Sequence, residues 1–178
     1  MTAQPKDLKI FFIGLPGSGK TTLAKEVAGS LKLPFVDLDK EIEKTNIRKV
    51  EEIFSQNGEA HFRKLERDEL IKFCGSASGF IMATGGGAPC FENNVELMKA
   101  AGLVIFLDVS AKEISNRVLK QSLNRPLLKH ETPDSMKDRI EFLRSHRISF
   151  YRQAHHTVFG NQITPKEIID WVESRSIA

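Results

Sequence analysis

Gly14-Leu15-Pro16-Gly17-Ser18-Gly19-Lys20-Thr21 has the spacing GxxxxGK[ST], in which glycines let successive backbone N–H groups close around a phosphate. An apolar run, residues 8–13 (LKIFFI), precedes it, and Leu23, Val27 and Leu31 follow at helical spacing. The motif therefore stands between an expected strand and an expected helix whose positive end points at the same anion. Lys20 is then placed to bridge the β- and γ-phosphates of a nucleoside triphosphate, and the Thr21 hydroxyl to ligate Mg²⁺. By itself the loop specifies a nucleotide and not a reaction, because GTPases, ATPases and small-molecule kinases share it.

The second reactant must be read from other residues. Asp37 and Asp39 end the next apolar run, and a spacing of two puts both carboxylates on one side of an extended chain. One could hold Mg²⁺ through water and the other accept a hydroxyl proton; alternatively the pair is a helix N-cap and a solvated first-turn acid. Arg63, in FRKLER, either reaches an anionic ligand or pairs on a helix surface with Glu59 or Glu66, four and three residues away. Gly85, Gly86 and Gly87 leave backbone N–H groups open to close approach, or form a plain turn. Arg147 continues the stripe Met136, Ile140, Leu143 at helical spacing. A guanidinium there either snorkels to solvent or faces a cleft holding a carboxylate. Arg125, in NRPLL, could be delivered by a loop to stabilise charge on the transferring phosphoryl group. Asp108 ends another apolar run in the manner of a Walker B carboxylate, but reads better as the cap of the helix after Ser110.

The elements that must position these residues alternate regularly. Short apolar runs at 8–13, 34–38, 79–84, 103–109 and, more weakly, 157–159 are separated by segments of helical spacing. Thr164 and Pro165 mark the cap and first residue of a last helix through Ile168, Trp171 and Val172. Nearly continuous apolar strands between helices predict an α/β fold with a parallel sheet covered on both faces. Ligands bind such sheets outside the carboxyl ends of the strands, where the phosphate loop, Asp37, Asp39 and the three glycines fall. Residues 120–133 lack helical periodicity and read as a mobile lid.

At 178 residues with 40% hydrophobic and 28% charged residues, the chain fits one soluble α/β domain, 1–178. Its apolar runs fall short of the ~20 residues needed to cross a bilayer, and residues 1–9 lack a signal peptide's apolar segment, so a cytoplasmic location is expected. Cys74 and Cys90 have no metal-like spacing and read as reduced thiols. The five histidines lack metal-protease spacing and read as bystanders. The net charge of +3 comes from bases interleaved with acids, which suits small anionic substrates as well as nucleic acid.

Together GLPGSGKT, the DxD of VDLDKEIE, GE..FRKLE, the TGGG of MATGGGAP, the lid NRPLL and RISFYRQA resemble shikimate kinases in order and approximate spacing, over roughly residues 10–172. The resemblance implies a three-layer α/β/α, five-stranded parallel P-loop fold of the nucleoside-monophosphate-kinase-like type, with a core at about 8–175, a shikimate-binding helical region at about 38–75 and a lid at about 120–133. It implies transfer of the ATP γ-phosphoryl to the shikimate 3-hydroxyl, with Mg²⁺ as cofactor and ATP as co-substrate. Asp39, Arg63, Gly85, Gly86, Gly87 and Arg147 look like the shikimate contacts. Gly17, Ser18, Gly19, Lys20, Thr21 and Thr22 look like the nucleotide loop, Lys20 with Arg125 like the phosphate clamp, and Thr21 with Asp37 like the metal side. Lys20, Asp39 and Arg125 would carry catalysis. Arg117 resembles the arginine that lines the adenine pocket, whereas near Asn161 and Gln162 many relatives carry an arginine that this chain lacks. The family-level expectation is a monomer acting on small molecules, without nucleic acid or membrane.

Two other functions stand beside this one. A related P-loop kinase would act on gluconate or a nucleoside monophosphate, although two arginines with a DxD suit a carboxylated polyol better. A non-catalytic nucleotide- or RNA-binding module would bind without acceptor-dependent release of ADP, and Lys20, Thr21 and Asp39 argue against it.

Overall fold

A computed structural model of the chain describes residues 6–122 and 133–175. Five strands, β1 (Lys9–Ile13), β2 (Phe35–Asp37), β3 (Phe80–Ala83), β4 (Leu103–Asp108) and β5 (His156–Phe159), form a single parallel sheet in the order β2-β3-β1-β4-β5. β1 lies at its centre, with Phe11 registered against Met82 on one side and Val104 on the other.

The side-chain period of a strand sorts β1 into two cores. Phe11 and Ile13 join Met82, Val104 and Phe106 on one face, while Ile10 and Phe12 join Ile81, Ile105 and Leu107 on the other. The second face is covered by α1 (Lys20–Leu31), through Leu23 and Val27, and by α7 (Pro165–Arg175), through Ile168 and Val172. The first is covered by α2 (Leu38–Asn46), α3 (Val50–Cys74), α4 (Asn94–Ala101), α5 (Ala111–Ser122) and α6 (Pro133–Tyr151). The three-layer expectation therefore holds. α4 has only eight residues, too few for periodicity to announce it.

Several boundaries differ from the sequence reading, each for a local reason. β2 stops at Asp37 because that side chain accepts from the Lys40 backbone N–H at 3.3 Å and caps α2. Asp39 is consequently in the first turn of a helix, and the extended-chain argument for its pairing with Asp37 does not apply. Asp108 does not cap α5. Ser110 does so, accepting from the Glu113 N–H at 3.2 Å, while Asp108 receives a two-pronged ion pair from Arg144 at 2.6 and 3.0 Å. Thr164 is the expected cap of α7, in a reciprocal box with Glu167. Of the segment read as a lid, residues 120–122 end α5 and Pro133 opens α6. Arg125 and the rest of that segment, 123–132, lie outside the described residues.

α3 is interrupted at Gly58, whose φ of 77° and ψ of 174° are not helical. A Cβ there would meet nothing within 4 Å, so glycine is required by the positive φ and not by space. The break starts a fresh helical segment at Glu59, one turn before Arg63.

Candidate active site

The loop after β1 folds as its glycines demand, with Gly17 and Gly19 at φ 80° and 94°. Lys20 is buried, and its ammonium donates to the carbonyls of Gly14 and Leu15 at 2.9 Å each. Burial pushes its pKa down to about 8, with Asp39 opposing and Arg147 adding to the shift. A cation held with so little hydration gains strongly from a polyphosphate brought against it. Gly17, Ser18, Gly19, Thr21 and Thr22 join Lys20 in lining a cavity of about 590 Å³, which Arg117, Asn161 and Gln162 close on the far side. Arg117 pairs with Glu113 at 2.8 Å and donates to the carbonyls of Ser18 and Asn161. It thus ties the phosphate loop to the turn between β5 and α7 that holds Asn161 and Gln162.

On the other side of Lys20 four segments converge. The Thr21 hydroxyl donates to Asp37 Oδ2 at 3.5 Å, so these two oxygen donors are neighbours although Asp37 also caps α2. Among the described residues no group of three or more His, Cys, Asp and Glu is placed to chelate a metal ion. A hydroxyl and one carboxylate are a donor set suited to Mg²⁺, which keeps several waters and takes its other ligands from phosphate.

Asp39 lies against the turn after β3, where a Cβ on Gly85 would come within 3.0 Å of its Oδ1. Burial and then the charge of Asp37 push its carboxyl above the usual range, against the pull of Lys20 and Arg63. Arg63 is mostly buried and makes both pairings offered by the surface reading: Nε and Nη2 donate to Glu59, and Nη1 to Glu66 at 2.8 Å. The surface part of that reading is wrong, since the Glu66 side chain is 0% exposed.

Glu66 is a site residue that the sequence reading passed over. Its Oε2 holds Arg63, while its buried Oε1 has no hydrogen-bond partner among the described residues and faces Gly85. Burial pushes its pKa up to about 7. An orphaned buried carboxylate oxygen is costly, and it is explained most simply by a ligand hydroxyl or water that completes it.

The three glycines differ in purpose. Gly85 makes room for two carboxylates and Gly87 for the Arg63 guanidinium, whereas Gly86 packs on Pro16, whose Cδ would lie 2.6 Å from a Cβ. The expectation of a bare turn open to ligand therefore applies least to Gly86. Its carbonyl accepts from the buried Tyr151 hydroxyl at 2.6 Å. Arg147, one turn earlier in α6, hydrogen-bonds Tyr151, and its charge also acts on Lys20, Glu66 and Cys90. The arginine is half-buried, and with Arg63 its charge acts on Glu66. Cys74 and Cys90 are unbridged, and burial pushes both thiols up to about 11, leaving them un-ionised at neutral pH. His155 and His156 serve the framework, the first accepting from the Val104 N–H at 3.0 Å and the second stacking on Trp171.

The arrangement has a phosphate-gripping end at Lys20, a guanidinium end at Arg63 and Arg147, and one carboxylate, Asp39, that feels Lys20 and Arg63 at once. Such a cleft can hold a triphosphate and a carboxylated alcohol face to face.

The comparisons with known proteins agree. The family model described as shikimate kinase matches residues 16–175. The shikimate kinase of Bacteroides fragilis is 39% identical over 163 residues, covering 92% of this chain and 90% of that protein. The crystal structure of the Bacteroides thetaiotaomicron shikimate kinase superimposes with a TM-score of 0.84 at 33% identity, covering 96% of this chain and 99% of that one. The solved structure of the shikimate kinase from Acinetobacter baumannii in complex with shikimate does so with a TM-score of 0.83 at 31% identity, covering 97% of each chain. With a family model matched over most of its length and relatives of this similarity, the chain belongs to the shikimate kinase family.

Proposed function

We propose that this chain transfers the γ-phosphoryl group of MgATP to the 3-hydroxyl of shikimate, giving shikimate 3-phosphate and ADP. The observation that carries the reading is the place of Asp39, packed against Gly85 with its carboxylate under the influence of both Lys20 and Arg63.

The residues divide the work as follows. Gly17 to Thr22 wrap the phosphates, with Lys20 moving from two backbone carbonyls to the β- and γ-oxygens. Mg²⁺, held through Thr21 and, by way of water, Asp37, would supply charge neutralisation on the phosphates. Arg117 lines the adenine end. Arg63 and Arg147 clasp the shikimate carboxylate in the planar manner that guanidinium groups favour. Asp39 orients the ring hydroxyls and accepts the proton of the one that attacks, with Glu66 and the N–H groups of Gly85 and Gly87 completing the ring's polar shell. Arg125 belongs to the proposed lid, outside the described residues. Phosphoryl transfer asks little covalent chemistry of the protein, so positioning and electrostatics account for most of the rate.

The segment 38–75 is the proposed acceptor-binding region of one domain, and the enzyme acts as a monomer in the cytoplasm on small molecules, not on nucleic acid. No helix among the described residues is long and apolar enough to cross a membrane.

The acceptor is tested by coupled release of ADP with shikimate, gluconate and nucleoside monophosphates side by side. Shikimate is expected to drive turnover; a faster rate with either competitor, or no acceptor dependence, contradicts the assignment. Replacing Arg147 with alanine is expected to raise the shikimate KM by about 30- to 100-fold, the loss of one charge-assisted contact, with kcat and the ATP KM changed far less. An unaltered shikimate KM in steady-state kinetics removes Arg147 from the acceptor site.

A further inference from the structure

The acceptor-side guanidinium has a partner that neither the motif nor its ion pairs account for. The Arg63 Cζ stands 4.3 Å from the centroid of the Phe91 ring, and 5.3 Å from that of Phe62. Both lie within the distance at which a ring face attracts a cation, and Phe91 is the closer by a full ångström. Phe91 is half-buried and follows directly on the single 3-10 turn Ala88–Cys90, which itself follows the three glycines.

The segment bearing Phe91 is pinned to the helix that carries Arg63. Arg67, one turn further along α3, donates to the Glu92 carbonyl and to Asn94 Oδ1, the latter at 2.9 Å. Asn94 is fully buried and returns its amide to the Ala88 carbonyl at 3.0 Å. Two arginines of α3, at positions 63 and 67, therefore grip consecutive parts of one turn. The first sets its guanidinium carbon over an aromatic ring, and the second offers hydrogen bonds to backbone and side chain.

A guanidinium has five N–H donors. Three of those on Arg63 are committed, two to Glu59 and one to Glu66, leaving two for a ligand. The carboxylates restrain the edges of the group in its own plane, but they do not prevent the plane from tipping. A ring face against it does. We propose that Phe91 is a positioning residue for acceptor binding, holding the plane of the Arg63 guanidinium so that its two uncommitted donors stay aimed at the acceptor carboxylate. This rests on the assignment of Arg63 to the acceptor site. It implies that the arginine is pre-ordered before the acceptor arrives, so that less rotamer entropy is lost on binding.

The test is a double-mutant cycle on the shikimate KM with Phe91→Leu, Phe91→Tyr, Arg63→Ala and the double variant Phe91→Leu/Arg63→Ala, with thermal unfolding recorded for each. Phe91→Leu is expected to raise the shikimate KM about 5- to 30-fold, the range implied by a partly desolvated cation–ring contact, leaving kcat and the ATP KM within about twofold. Phe91→Tyr, which keeps the ring face, is expected to restore the wild-type KM, and Phe91→Leu is expected to have no further effect once Arg63 is alanine. An unchanged KM in Phe91→Leu, a failure of Phe91→Tyr to rescue while folded, or the same penalty in the Arg63→Ala background overturns the role of Phe91. Arg63→Ala is the separate control on the underlying assignment: if that variant alone leaves the shikimate KM unchanged, the acceptor site has been misplaced, and the inference about Phe91 falls with it.

Discussion

Lys20→Ala is expected to lower kcat by about a thousandfold or more, the scale on which a preorganised electrostatic contact to developing charge acts in a desolvated site. The ammonium is buried, bonded to two carbonyls at 2.9 Å each, and pushed down to about 8 by its surroundings. It is thus a cation that the protein solvates poorly and that triphosphate oxygens would solvate well. Removing it leaves the loop's backbone donors in place, so ATP binding should weaken far less than turnover. Steady-state kinetics with nucleotide binding measured separately check this; a variant retaining kcat within about tenfold would place the transferring phosphoryl group elsewhere.

Asp39→Asn is expected to cost about 10²- to 10⁴-fold in kcat, the usual scale for loss of a general base, with a smaller change in the shikimate KM. The replacement keeps the shape packed against Gly85, where a Cβ would come within 3.0 Å of the aspartate oxygen, so the effect isolates the carboxylate's charge and basicity. Burial and the charge of Asp37 raise its pKa, against the pull of Lys20 and Arg63, which makes its carboxylate a better proton acceptor than a solvated aspartate. An unchanged kcat would limit Asp39 to binding the ring hydroxyls.

The phosphate end of this site was legible in one contiguous string, because wrapping an anion with backbone N–H groups imposes glycines at fixed intervals along the chain. The central strands β1, β3 and β4 were legible because they are short apolar runs buried on both faces. The acceptor end was harder to read, since it is assembled by contacts distant in sequence. Asp37 and Asp39 were recognised as a pair, but the capping of α2 by Asp37 changed the geometry that pairs them. Arg63 with Glu59 and Glu66 has the spacing of an ordinary surface pair, and nothing local says that Glu66 is fully buried. The partner of Asp108 is Arg144, 36 residues away, so a helix cap was the natural local expectation. Tyr151 sits in RISFYRQA without a role of its own there and Phe91 carries no motif, so their parts emerge only when β3, α3 and α6 are brought around the same turn.

The most direct test of the account is mass-spectrometric analysis of the products after incubation with ATP, Mg²⁺ and shikimate. A shikimate species bearing one added phosphoryl group, formed with ADP in equal amount and absent when Lys20→Ala replaces the native chain, is the predicted result. Release of ADP at the same rate with and without shikimate, and no phosphorylated acid, would contradict it.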